Sequence, residues 1–111
     1  MGNIKNELNL YRERVCNIEN KNIEIENLKI DNLNDEDEKI KILKLDIRKM
    51  ELKNKKIDNI LRLLPDGDYK VINLIFLEGK DKKKAAREMD RTERQINYSI
   101  NKALTKISKV L

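Results

Sequence analysis

Side chains that can bind a polyanion are concentrated near the C-terminus of this sequence. Residues 80–111 hold 10 Lys and Arg against 4 Asp and Glu. Arginine, glutamine and asparagine have the fork or amide geometry that fits the edges of DNA bases, whereas lysine and tyrosine suit phosphates. We single out these residues as candidate DNA contacts: Lys82, Lys83, Lys84, Arg91, Thr92, Arg94, Gln95, Asn97, Tyr98, Asn101 and Lys102.

Catalytic and metal-binding side chains are scarce by comparison. The chain has no histidine and a single cysteine, Cys16, which argues against a disulfide within the chain and against a zinc or iron–sulfur site. Gly79-Lys80 lacks the first glycine and the Ser/Thr of a phosphate-binding loop. Asp35 to Asp37 have no partner acids elsewhere that would complete a nuclease metal site. We therefore expect no enzyme, and no catalytic, metal-binding or cofactor-binding residue.

Two helices joined by a tight turn would present the candidate DNA contacts. A helix-turn-helix needs a small residue where the helices cross, a turn residue four positions later, and a branched apolar residue about six beyond that. Ala86, Asp90 and Ile96 fit this spacing. We expect one helix over about 81–89, capped by Asp81, and another over about 93–110, starting with a capping box from Thr92 to Gln95. The apolar stripe of the second helix is Ile96, Ile100, Ala103, Leu104, Ile107 and Leu111.

A further helix precedes this pair. Pro65 is expected to end the helix before it, because the residue preceding a proline is disfavoured in the helical region. Asp66 or Asp68 would cap a helix over about 68–78, and Gly79 occupies the position of a helix C-terminal glycine. The alternative for residues 66–111 is a three-helix bundle with a solvated basic face and no DNA partner.

Residues 1–64 contain two apolar seams with heptad spacing, which indicates long amphipathic helices. Each seam has one polar step, Asn22 or Asn54, which would fix register or chain number; the alternative is that these asparagines have no such role. The first seam is Ile4, Leu8, Tyr11, Val15, Ile18, Asn22 and Ile25, broadened by Ile23, Leu28, Ile30 and Leu33. The second seam is Ile40, Leu43, Ile47, Met50, Asn54, Ile57, Leu61 and Leu64.

The two seams predict helices over about 3–33 and 36–64. A polar break separates them, and Asn34 or Asp35 would cap the second helix. Their similar lengths favour an antiparallel hairpin, and one continuous helix is the alternative. Since two narrow stripes bury little, we expect self-association, with a dimer favoured. The predicted fold is all-α: a coiled-coil or helical-hairpin arm over residues 1–64, then a three-helix helix-turn-helix domain over residues 65–111.

A set of motifs after residue 63 resembles a known family. They are Leu64-Pro65, Glu78-Gly79, the run from Lys84 to Met89, Thr92, Ile96 and Ala103-Leu104. The pattern is similar to region 4 of sigma-70-type factors and to the C-terminal domain of small phage late-transcription regulators of the ArpU/RinA type. It covers about residues 64–111, and the two helices before it are not part of the match.

The resemblance implies roles for individual residues. Gly79 would close the helix before the motif, Ala86 would be the crossing alanine, and Thr92 would start the recognition helix. Two positions depart from the family pattern: Asp90 stands where glycine is commoner, and Arg91 stands where an apolar residue usually packs. The family would read promoter DNA at the positions of Arg94, Gln95, Asn97, Tyr98 and Asn101.

We expect, from these patterns together, a transcriptional regulator that binds double-stranded promoter DNA and self-associates through its arm, with RNA polymerase as a further partner. There are two alternatives. One is a DNA-packaging protein similar to a terminase small subunit, and the other is an adaptor that docks on RNA polymerase or a sigma factor without binding DNA. No apolar run approaches the roughly 18 residues of a membrane span, so a cytoplasmic protein without a membrane partner is expected.

Overall fold

The computed structural model describes residues 4–110, which form five α-helices and no strand. The helices are α1 (Ile4–Ile30), α2 (Glu38–Leu61), α3 (Asp66–Ile72), α4 (Lys82–Glu88) and α5 (Glu93–Val110). α3 continues directly into a π-helical stretch, Asn73–Leu77. The predicted all-α class is confirmed. The predicted helix start at residue 3 and the last stripe residue, Leu111, lie outside the described residues.

α1 and α2 form an antiparallel hairpin, not one continuous helix. α1 ends where Asn32 takes a φ of 71°, in the left-handed region. Two backbone hydrogen bonds of 3.0 Å close this end, from Asn32 N to Lys29 O and from Leu33 N to Leu28 O. This is the Schellman arrangement, in which the last carbonyls of a helix find donors after the chain has turned away.

α2 begins later than predicted. Asp37, and not Asn34 or Asp35, is its N-cap, and Asp37 Oδ1 accepts a hydrogen bond from Lys39 N at 3.0 Å. Asn34 is engaged within the turn, where its Oδ1 accepts from Glu36 N at 2.9 Å. Asp35 pairs with lysines of both helices. The turn therefore uses the two predicted capping side chains for its own hydrogen bonds and ion pairs.

The first predicted seam is partly wrong in its helical phase. Val15 is 48% exposed, and Asn22, Ile23 and Ile30 are exposed as well. The second seam is confirmed, because all of its residues are buried apart from Met50, which is half-buried. Sequence periodicity therefore predicted the correct face of α2. In the middle of α1 it predicted a face that points away from α2.

Two basic residues of α1 face α2 where the first seam had predicted their neighbours, Val15 and Asn22. Arg14 and Lys21, each one residue before a predicted seam position, are half-buried against α2. Arg14 Nη1 donates to Asn54 Oδ1 at 3.2 Å, and Lys21 Nζ lies 3.7 Å from Asp46 Oδ2. Long basic side chains can cover apolar surface with their stems while the charged end reaches a polar partner. These pairings lie on the same face of α1 as its buried residues, Leu8 and Ile25.

Asn54 is the polar centre of the hairpin, with only 7% of its surface exposed. Besides accepting from Arg14, it donates from Nδ2 to Tyr11 O at 3.2 Å. The Tyr11 hydroxyl donates to Asp58 Oδ1 at 2.7 Å; burial first, and then this bond, raises the pKa of Tyr11 to about 12. Sliding α1 along α2 would leave Asn54 buried without its partners, so this polar layer fixes the register within one chain.

The segment between α2 and α3 differs from the prediction at both ends. α2 ends at Leu61, before Pro65. After it, the backbone N–H groups of Leu63 and Leu64 each donate to the carbonyl three residues earlier, at 3.1 Å, which makes a tight turn. α3 begins at Asp66 with Pro65 as its N-cap and no side-chain cap, so neither Asp66 nor Asp68 caps it. Proline has a φ suited to a helix start and lacks the N–H that would need a partner there.

The hairpin and the C-terminal helices share one hydrophobic cluster. Leu8 of α1 is 1% exposed and packs in the same cluster as Ile72 of α3 and Ile107 of α5. Its buried members are Leu8, Ile57, Leu61, Leu64, Ile72, Ala103 and Ile107. The seam residues near the open end of the hairpin are therefore covered by helices of the same chain. A separate cluster near the hairpin turn contains Ile25, Ile40, Leu43 and Ile47.

Gly79 is a second place where the hairpin and the C-terminal part of the chain come close together. Its φ of 72° is in the left-handed region, as expected for the glycine that ends a helix. A Cβ at this position would lie 2.5 Å from the guanidinium carbon of Arg12 on α1. The left-handed backbone favours glycine here, whereas the guanidinium of Arg12 ends a flexible, exposed side chain that could shift to admit a Cβ. None of the helices within residues 4–110 has the length and apolar character of a membrane span.

Candidate nucleic-acid interface

α4 and α5 pack through small and branched apolar side chains. Ala85 and Ile96 are fully buried, and Ala86 and Ile100 are nearly so. They form a cluster with Val71 of α3, so three helices hold this unit together. Alanine where α4 meets α5 lets the two backbones approach closely. Ala86 and Ile96 are two of the three residues that the spacing argument selected.

The third of those residues, Asp90, makes the turn between α4 and α5. Its φ is 53°, and Arg91 N donates to Ala86 O at 2.9 Å while Asp90 N donates to Arg87 O at 3.3 Å. This is again the Schellman arrangement, with an aspartate in the position that glycine usually fills. Aspartate enters the left-handed region at lower cost than most residues, which explains how the turn forms without glycine.

Side-chain caps start both helices of the pair. Asp81 Oδ1 accepts from Lys84 N at 2.8 Å, as predicted for the cap of α4. At α5, Gln95 N donates to Thr92 Oγ1 at 3.1 Å and Thr92 N donates to Gln95 Oε1 at 2.9 Å. The predicted capping box is therefore formed in both directions. It occupies two side chains that were also predicted to contact DNA.

We expect Thr92→Ala to lower the free energy of unfolding by about 0.5–2 kcal/mol, because it removes the N-cap acceptor of α5. Thr92→Ser keeps the hydroxyl and is the control, with little change expected, because serine caps a helix at least as well as threonine. Urea unfolding followed by circular dichroism gives both values. Equal stability of Thr92→Ala and the unchanged protein would mean that the capping box contributes nothing to α5.

All eleven predicted DNA contacts are exposed at the surface. Lys82, Lys83 and Lys84 occupy the first turn of α4, and the others lie in the turn or on α5. The structure brings five of them together around one cleft: Arg91, Arg94, Gln95, Tyr98 and Lys102. Asn97 and Asn101 lie on α5 outside the lining of this cleft. Lys83 and Arg91 line another groove, across the α4–α5 turn.

The cleft beside α5 has a volume of about 610 Å³ and an acidic residue in its wall. Asp68, from the first turn of α3, is only 6% exposed, and its Oδ2 lies 3.9 Å from Lys102 Nζ. Ser99, also 6% exposed, accepts a hydrogen bond from Arg91 Nη1 at 3.3 Å. Arg91, which the family pattern would replace with an apolar residue, is thus tied to α5 through a polar contact.

The predicted site residues did not include Arg87, Asp68 or Ser99, which belong to this surface. Arg87 is exposed and lines the groove across the turn, while Asp68 and Ser99 line the cleft beneath the cations. The charge of Arg87 on α4 was a usable signal in the sequence. Asp68 had been considered only as a possible cap, and its position beneath α5 depends on how α3 packs against that helix.

Lys80 links the loop before α4 to the helix itself. Its Nζ donates to Glu88 Oε1 and lies 3.6 Å from Glu78 Oε1. The hydrogen bond to Glu88 is the main reason that the pKa of Lys80 is raised. Lys80 therefore has acidic partners on the protein. The neighbouring side chains, from Lys82 to Lys84, are exposed in the first turn of α4.

Comparison with family models, with curated proteins and with solved structures finds no match for this chain. Within residues 4–110 there is no group of three or more His, Cys, Asp or Glu side chains arranged to hold a metal ion. The surface belongs to a packed helix pair whose outer face carries cations, amides and one tyrosine.

Proposed function

We propose that this chain is a DNA-binding transcriptional regulator in which α4 and α5 act as a helix-turn-helix, with α5 in the major groove. The observation that carries the proposal is that this helix pair has one buried face and one exposed face. Ala86 and Ile96 face the core, whereas every predicted contact residue is exposed. Helix-turn-helix proteins place the second helix in the groove and let the first cross the backbone. No catalytic role is assigned to any residue.

The charge of the chain supports the same proposal. Residues 65–111 carry 11 Lys and Arg against 7 Asp and Glu, whereas residues 1–64 are nearly balanced at 14 against 13. A basic surface concentrated on one part of a protein attracts phosphate backbones. A cytoplasmic location and contact with RNA polymerase belong to the proposal as well, as expected for a regulator of the sigma region 4 type.

The first test is duplex binding by the full chain, titrated from low to physiological salt. The full chain is needed because α1, α2, α3 and α5 share a hydrophobic cluster. We expect the logarithm of the binding constant to fall linearly with the logarithm of salt concentration. Absence of binding at low salt would overturn the proposal and favour an adaptor that docks on RNA polymerase. A ring of subunits on DNA would favour a packaging protein.

Dimerisation is a separate part of the proposal. The seam residues that predicted it are largely buried within one chain, so a dimer would use other surface. Light scattering in the absence of DNA tests this directly. A mass of 13.2 kDa, that of a single chain, would contradict the dimer and leave the proposed DNA binding in place.

Arg94 and Lys83 are expected to separate sequence preference from general affinity. Once a preferred site has been selected, Arg94→Ala should relax discrimination at one base pair by about 1–3 kcal/mol. Lys83→Ala should weaken all sequences alike and reduce the salt slope by about 1. Lys55→Ala, which removes the same charge from α2, is the control. Unchanged discrimination in Arg94→Ala would exclude that side chain from base recognition.

A further inference from the structure

Asp68 is a buried carboxylate with an unsatisfied oxygen. Among residues 4–110, no hydrogen-bond donor is in range of Asp68 Oδ2. The position explains why. Asp68 is the third residue of α3, from which a carboxylate can often reach back to the N–H of the N-cap residue. Here the N-cap is Pro65, which has no N–H.

The carboxylate instead faces the cations of the proposed DNA interface. Lys102 Nζ on α5 lies 3.9 Å from Asp68 Oδ2, and the two side chains are 45% and 8% exposed. Arg91 and Arg94 line the same cleft. A pair with one buried member is screened by salt less than a fully exposed pair, so the attraction between Asp68 and Lys102 persists at physiological ionic strength.

We propose that Asp68 is an internal counter-charge that competes with DNA phosphates for Lys102 and thereby weakens binding to non-specific sequences. The inference rests on the proposed DNA binding by α4 and α5. A cation paired with a carboxylate of its own protein must release that partner before it neutralises a phosphate. The loss applies to every sequence, because phosphates are the same in all of them. Contacts to base edges then contribute a larger share of the total binding free energy at a preferred site.

The test compares two acids of the same helical turn. Asp68→Asn keeps the shape of the side chain and removes its charge. Asp66→Asn makes the same change of net charge at an exposed position of α3. We expect Asp68→Asn to bind a random-sequence duplex about three- to tenfold more tightly and to steepen the salt slope by about 1, as one additional phosphate contact would do. Asp66→Asn should differ from the unchanged protein far less. Circular dichroism at the assay temperature confirms that each variant is folded.

A double-mutant cycle identifies the partner of Asp68. In the unchanged protein, Lys102→Gln should weaken duplex binding less than it does in the Asp68→Asn protein, because Asp68 already offsets part of the Lys102 charge. In the Asp68→Asn protein, the same change should remove most of the gain.

The outcomes distinguish this inference from the function on which it rests. If neither the unchanged protein nor any variant binds duplex at low salt, the proposed function fails. If the unchanged protein binds but Asp68→Asn and Asp66→Asn gain equally, only the counter-charge role of Asp68 is overturned. Equal effects of Lys102→Gln in both backgrounds would exclude Lys102 as the partner.

Discussion

Ile96→Ala is expected to lower the free energy of unfolding by about 2–5 kcal/mol. Ile96 is fully buried in the cluster that joins α3, α4 and α5, so truncation would leave a cavity that alanines on α4 are too small to fill. A domain of this size has about 5–15 kcal/mol of stability in all. The change should therefore unfold a substantial fraction of the protein under mild denaturant.

Two control substitutions on α5 make this result interpretable. Ile96→Val removes one methylene and should cost about 0.5–1.5 kcal/mol. Tyr98→Ala alters a side chain that is 70% exposed and should change stability by no more than about 0.5 kcal/mol. Urea unfolding gives all three values. If Ile96→Ala cost no more than Ile96→Val, the packing of α5 against α4 described above would be wrong.

Leu8→Ala is expected to destabilise the C-terminal helices as well as the hairpin, again by about 2–5 kcal/mol. Leu8 is 1% exposed, and its cluster includes Ala103 and Ile107 of α5. Because these residues form one core, we expect a single cooperative unfolding transition in which all helices take part. Loss of the Leu8 side chain in α1 should therefore also destabilise α5.

Amide hydrogen exchange measures that coupling helix by helix. Protection in α5 should fall together with protection in α1 when Leu8 is truncated. Val15→Ala, on the same helix at a position that is 48% exposed, is the control and should leave α5 unchanged. Unaltered protection of α5 in Leu8→Ala would show that the hairpin and the C-terminal helices unfold independently.

Local signals in the sequence were sufficient for much of the C-terminal part. Asp81, the Thr92–Gln95 box and Gly79 each act within a few residues, so the bounds of α4 and α5 followed from them closely. The second seam was also predictable, since its apolar residues recur without a competing pattern. These features depend on interactions between residues that are close in the sequence.

Features that depend on partners distant in the sequence were not predictable in the same way. Val15 and Arg14 are adjacent, and it is Arg14 that faces α2, where it donates to Asn54, 40 positions away. The burial of Asp68 likewise requires α5 to lie over the start of α3. The π-helical stretch after α3 has no residue signature that sets it apart from an ordinary helix.

The shared cluster also has a consequence for the order of events during synthesis. Leu8 leaves the ribosome well before Ile107, although the two residues belong to the same cluster. At about 5–20 residues per second, the interval between them is several seconds. During that time the open end of the nascent hairpin presents uncovered leucine and isoleucine. Synthesis of α5, and not completion of the hairpin, is therefore the step that permits this core to close.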